Sequence, residues 1–304
     1  MNKCLNGIVC ANITPFEKNG SVDYESLKNL TIYLANSGID AIYPSGTNGE
    51  GLALSVDERK KITQTMVEAA DGRISIAIQC GTQTLNDTKD LIQNAKDEGA
   101  AAAGVVTPFF FKLSQEAIIE YYSNLFESVK NFPIYVYNIP SHTNNDILPK
   151  SIAKLAEKYE NFAGIKYSHP DILRIAEYIS VKPEGFDALI GCDRLIYPAA
   201  KVGSVGTVSG PAAIFPELFS DLWQSIKDKN DNEALRLQRI ICENDIALEK
   251  YQSIPLLKIY LKKMGIIKET ICRIPFEKVL KAEEDEICVT VEKMRNKDVR
   301  CCNK

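Results

Sequence analysis

Eight short and almost unbroken apolar runs recur along the chain, at residues 8–13, 41–43, 74–79, 101–106, 134–137, 162–166, 187–190 and 202–208. Each is too continuous for a strand with one wet face, so each reads as a strand covered on both sides. Segments of helical period separate them, at 23–36, 56–70, 86–98, 115–129, 149–159 and 171–179. Ser55 with Glu58 three places on has the pattern of a capping box, and Ser114 opens the segment at 115–129 with Ala117 in place of the acid. Strands that alternate with helices imply a parallel sheet, because parallel neighbours need a crossover connection. Eight such units predict closure into a (β/α)₈ barrel, with an open doubly wound sheet as the alternative. From about residue 212 onward the pattern is wholly helical, at 217–227, 233–249, 254–263 and 277–293. No Gly/Ser-rich linker separates this part, so the reading is a barrel over 1–228 and a C-terminal helical extension over 229–304 packed on it.

A chain of 304 residues is long enough to bury the large core that such a barrel needs. Its net charge of -4 offers nothing to attract nucleic acid or anionic lipid. No apolar run is long enough to cross a bilayer, and the opening MNKCLNGIVC lacks both an extended apolar segment and a small-residue cleavage site. A cytoplasmic protein is expected. The nine cysteines are odd in number, scattered and without C-x-x-C spacing, which fits reduced thiols. Cys301 and Cys302 fall in a polar tail with no structural task. Two histidines rule out a three-histidine zinc site, and neither a Walker loop nor a G-x-G-x-x-G fingerprint after a strand points to a nucleotide cofactor. Gly203-Ser204-Val205-Gly206 reads as part of the eighth strand, its glycines explained by close packing rather than by a phosphate.

Barrel chemistry sits at the C-terminal ends of the strands, so the residues there carry the functional reading. The second run leads into Ser45-Gly46-Thr47-Asn48-Gly49-Glu50-Gly51, the fourth into Thr107-Pro108-Phe109-Phe110-Phe111, and the fifth into Tyr137-Asn138-Ile139-Pro140-Ser141-His142-Thr143. The sixth ends on Lys166, the seventh on Gly191-Cys192-Asp193 and the eighth on Ser209-Gly210-Pro211. A lysine at the end of an apolar strand is either an amine kept partly neutral by desolvation, ready to attack a ketone and form a Schiff base, or an ammonium that reaches solvent or pairs with a carboxylate such as Asp193. Tyr137 has a phenol able to move a proton, and otherwise packs in the core with a hydrogen-bonded tip. The Gly46-Thr47-Asn48-Gly49 loop has backbone N–H groups and short polar side chains suited to a carboxylate, although such turns are common. His142 is placed to contact a substrate oxygen, whereas His169 and Trp223 read as packing residues. Ser168-His169-Pro170-Asp171 is not a hydrolase triad, because consecutive side chains do not converge.

With Gly46-Thr47-Asn48-Gly49-Glu50, Tyr137-Asn138-Ile139-Pro140 and Gly164-Ile165-Lys166 in this order, the chain resembles the dihydrodipicolinate synthase / N-acetylneuraminate lyase family of class I aldolases from about Gly7 to Phe276. The resemblance implies a homotetramer of (β/α)₈ barrels that binds a 2-oxo acid such as pyruvate as an imine, with no metal or other cofactor. It implies Lys166 as nucleophile, Tyr137 as proton carrier, Thr47 and Asn48 as carboxylate ligands beside Gly46, and Gly191, Asp193 and Ser209 around the second substrate. Three positions depart from the family's usual pattern. Asn48 replaces a hydroxyl residue, as in hydroxy-oxoglutarate aldolase relatives; His142 stands where synthases place an arginine; Phe110 stands where many members lend a tyrosine across a subunit interface. The missing arginine puts a sugar-acid lyase of the N-acetylneuraminate type first among the expectations and dihydrodipicolinate synthase second. A catalytically silent 2-oxo-acid-binding protein is the rival from another class.

Overall fold

The computed structural model describes residues 5–276 and 278–301. The readings that touch Cys4, Glu277, Cys302 and the side chain of Cys301 lie outside the described residues. In chain order the elements are β1 (Gly7–Cys10), α1 (Tyr24–Ala35), β2 (Ala41–Ile42), α2 (Val56–Ala70), β3 (Ser75–Gln79), α3 (Leu85–Asp97), β4 (Ala102–Val106), α4 (Gln115–Ser128), β5 (Ile134–Asn138), α5 (Pro140–Thr143) and α6 (Pro149–Lys158). They continue with β6 (Phe162–Tyr167), α7 (Ile172–Val181), β7 (Asp187–Ile190), α8 (Ile196–Lys201), β8 (Gly206–Ser209), α9 (Pro216–Lys227), α10 (Asp231–Leu248), α11 (Ser253–Lys263) and α12 (Lys281–Cys301). The eight strands pair in parallel and in sequence order, and β8 closes on β1. The fold is a (β/α)₈ barrel.

The apolar runs are continuous because both strand faces are buried. One face meets the helices in a large outer core, and the other fills the barrel axis with Val9, Ala41, Ala77, Ala102, Leu189 and Val208 around the rings of Tyr43 and Tyr135. Helix starts follow the local chemistry: Ser55 and Glu58 form the reciprocal capping box, and the Ser114 side chain accepts from the Ala117 N–H. Two connections differ from expectation. The eighth strand begins at Gly206, not at 202, because α8 runs to Lys201 and its last turn spills over into Val202, so of the Gly203-Ser204-Val205-Gly206 stretch only Gly206 is in the strand. Close packing does account for Gly206, where a Cβ would lie 2.3 Å from the Gly7 carbonyl oxygen. The short helix α5 also went unread, since four residues that begin with proline have no usable period.

Register then sets heights at the barrel mouth. Val106 pairs with Tyr137, and Tyr137 pairs with Lys166, so the phenol and the amine project from neighbouring strands at one level.

Candidate active site

Lys166 lies on β6 with only 6% of its surface exposed. Its Nζ is 3.8 Å from the centre of the Tyr137 ring and 4.8 Å from that of Tyr43. Burial lowers the amine below the ordinary lysine range; contact with the Tyr137 phenol and the charge of Asp193 act in the opposite direction. Among the described residues no carboxylate comes within ion-pair distance of it, so of the two readings open in the sequence the desolvated amine is the one this geometry favours.

Tyr137, 3% exposed on β5, places its hydroxyl 3.3 Å from the Thr47 Oγ1. The loop that carries Thr47 is bent by left-handed backbone at Ser45 (φ 58°) and Glu50 (φ 52°). Asn48 points away from this hydroxyl pair: its amide donates to the Ala11 carbonyl at 3.2 Å and ties the loop to the end of β1. Glu50 is fully buried at its side chain against Lys258 of α11, at 2.5 Å, and its other oxygen accepts from the Arg273 N–H at 2.8 Å. A buried pair of this kind holds the loop only because both charges are present.

Across the mouth, the Ser209 hydroxyl donates to the Asp193 carboxylate at 2.8 Å and accepts from the Ala212 N–H. Burial raises the Asp193 carboxyl to about 7 against the lowering effect of that hydroxyl. Gly191 is pressed against Ser168, where a Cβ would lie 1.9 Å from the hydroxyl oxygen. His142 is exposed on α5, with its Nδ1 2.9 Å from the Ser141 hydroxyl.

A cavity of about 440 Å³ opens over the β2 to β5 side. Gly46, Thr47, Tyr137 and His142 line it; Asn48, Lys166, Gly191, Asp193 and Ser209 do not. Lys166 lies behind the Tyr137 ring instead. The structure adds three residues that the sequence reading missed. Gln79 lines the cavity, the Tyr43 ring faces the amine, and Arg59 is buried behind Gln79. Gln79 ends an apolar run as Lys166 does, which is the signal that could have found it.

The sequence profile of the dihydrodipicolinate synthetase family matches residues 4–294. The chain belongs to that family. It is therefore a lyase of the class I aldolase type. Over 91% of its length it is 34% identical to 4-hydroxy-tetrahydrodipicolinate synthase of Chlorobium phaeovibrioides, of which it covers 93%. Among solved structures it resembles dihydrodipicolinate synthase from Aquifex aeolicus with a TM-score of 0.90, 29% identity and coverage of 96% of this chain and 98% of that one. The corresponding enzyme from Thermotoga maritima gives a TM-score of 0.89 at 28% identity, covering 96% of this chain and 99% of that one. Among the described residues no helix is long and apolar enough to cross a membrane.

Proposed function

We propose that the chain joins pyruvate to an aldehyde through an imine on Lys166, in the manner of the 4-hydroxy-tetrahydrodipicolinate synthases to which it is related. The observation that carries this reading is the buried amine of Lys166, lowered by desolvation and set in register beside the Tyr137 phenol. The neutral amine adds to the ketone carbon, water leaves, and the iminium withdraws electrons from the methyl carbon. Loss of one methyl proton gives the enamine, whose carbon attacks the aldehyde; hydrolysis returns the amine. Tyr137, 3.3 Å from the Thr47 hydroxyl, carries protons in these steps, and Thr47 with the loop N–H groups holds the carboxylate. Asn48 then serves mainly by pinning the loop to Ala11.

The aldehyde is proposed to be aspartate semialdehyde, which ranks second on sequence alone and is favoured by relatives named for that synthesis. His142 favours the second reading, cleavage of a sugar acid, because an imidazole in place of the expected arginine grips a second carboxylate weakly. In either reading Gly191, Asp193 and Ser209, which lie across the mouth from the cavity, are proposed for the second substrate, with the Asp193 carboxyl near 7 able to give or take a proton. A cytoplasmic homotetramer is also proposed. Free thiols at Cys10, Cys80, Cys192, Cys242, Cys272 and Cys288 suit a reducing compartment, and the exposed rings of Phe110 and Phe111 suit a subunit contact.

Borohydride reduction in the presence of pyruvate tests the first step. The expected result is a pyruvate-derived mass increment on the peptide that contains Lys166, absent from Lys166→Ala. Turnover with aspartate semialdehyde supports the synthase, and cleavage of a sugar acid supports the second reading. An adduct with neither turnover identifies a silent binder, and no adduct removes the imine chemistry.

A further inference from the structure

Arg59 of α2 is 2% exposed, and its hydrogen bonds run to carbonyl oxygens alone. Its Nη1 donates to the Gly81 carbonyl at 3.0 Å, and its Nη2 donates to both the main-chain oxygen and the Oε1 of Gln79, at 2.5 and 2.8 Å. Among the described residues it makes no ion pair. A guanidinium stays charged when buried, and buried charges are normally met by an opposite one. Among the described residues the counter-charge is missing.

The same contacts settle which way the Gln79 amide faces. Arginine has donors only, so the atom turned to it is the carbonyl oxygen, and the NH₂ group is turned the other way. Gln79 is 5% exposed and lines the cavity beside Thr47 and Tyr137, and its Nε2 has no acceptor among the described residues. Its own N–H donates to the Pro44 carbonyl at 3.2 Å, one residue before the Ser45-Gly46-Thr47 loop. Among the described residues neither lysine nor arginine lines the cavity.

We propose that Gln79 is a recognition residue for the 2-oxo acid: its amide N–H donates to a carboxylate oxygen of the bound substrate, and Arg59 behind it polarises the amide and balances the charge. A hydrogen bond strengthens when its donor group is itself hydrogen-bonded to a cation, and the low dielectric of a barrel interior leaves little screening. The substrate carboxylate thus meets the positive potential of Arg59 without touching its guanidinium, and the carboxylate site is built from β2 and β3 together. This assignment rests on the imine reading above.

Borohydride trapping measured against pyruvate concentration tests it in the absence of any aldehyde. In Gln79→Met, which is close in size and has no donor, the half-saturating pyruvate concentration should rise about tenfold or more, with full trapping still reached at saturation. Gln79→Glu, which pairs with Arg59 and repels the substrate, should raise it further. Arg59→Gln should move the same quantity in the same direction, as a purely structural role would not. Half-saturation within twofold of the wild type in a folded Gln79→Met or Gln79→Glu chain overturns the assignment, as does an effect confined to the KM of the aldehyde. A wild-type chain that gives no adduct overturns the imine reading and this assignment with it.

Discussion

The desolvated amine of Lys166 has a thermodynamic consequence apart from chemistry. Burial lowers its pKa from the ordinary 10.5, so between the lowered value and 10.5 the unfolded chain holds a proton that the folded chain has lost. Folding is therefore penalised by this residue at every pH below its lowered pKa, and the penalty fades as pH rises to 10.5. Lys166→Met should abolish the pyruvate adduct and raise the melting temperature at neutral pH, with the gain shrinking in alkaline buffer. A fall in melting temperature at pH 7 would mean that the ammonium is well solvated. The same shift predicts that the trapping rate of the wild type climbs with pH and levels off below 10.5, where the amine is already neutral.

At the scale of elements, the loop after β2 is held from a distance. Lys258 of α11 reaches Glu50 and also donates to the Ile271 carbonyl at 2.7 Å, while the Arg273 guanidinium donates to the carbonyls of Gly20 and Ala53 and to Glu58 of α2. The segment after α11 thereby straps the loop to the capped start of α2. Lys258→Met leaves the Glu50 charge buried without its cation and should cost about 3–5 kcal/mol in chemical denaturation. Combining it with Glu50→Gln removes the orphaned charge yet keeps an acceptor for the Arg273 N–H, so the pair should recover at least half of that loss. Additive losses would mean that the two side chains do not sense each other. The Ser55–Glu58 cap was legible because its donors and acceptors lie three residues apart; the Glu50–Lys258 pair was not, because 208 residues separate its members.

On the scale of the whole molecule, Phe110 is 80% exposed in left-handed backbone (φ 74°), with Phe111 at its edge and 71% exposed. Apolar surface held out in this way by a strained residue fits a subunit contact. Phe110→Asp with Phe111→Asp should lower the mass in sedimentation from that of the proposed tetramer of 33.8 kDa chains to a smaller assembly, with the circular dichroism of the barrel retained. An unchanged mass would place the subunit contacts elsewhere. The closed barrel, the polar strand ends at Tyr137 and Lys166, and the family were all readable from the chain, because strand burial on two faces and strand-end chemistry are local properties of consecutive residues. Tertiary structure alone decided that Asn48 turns to Ala11, that Lys166 lies behind a phenol rather than in an ion pair, and that Arg59 has no carboxylate to meet it among the described residues. Those outcomes depend on which side chains meet across the mouth once eight strands have closed, and no spacing along the sequence encodes that meeting.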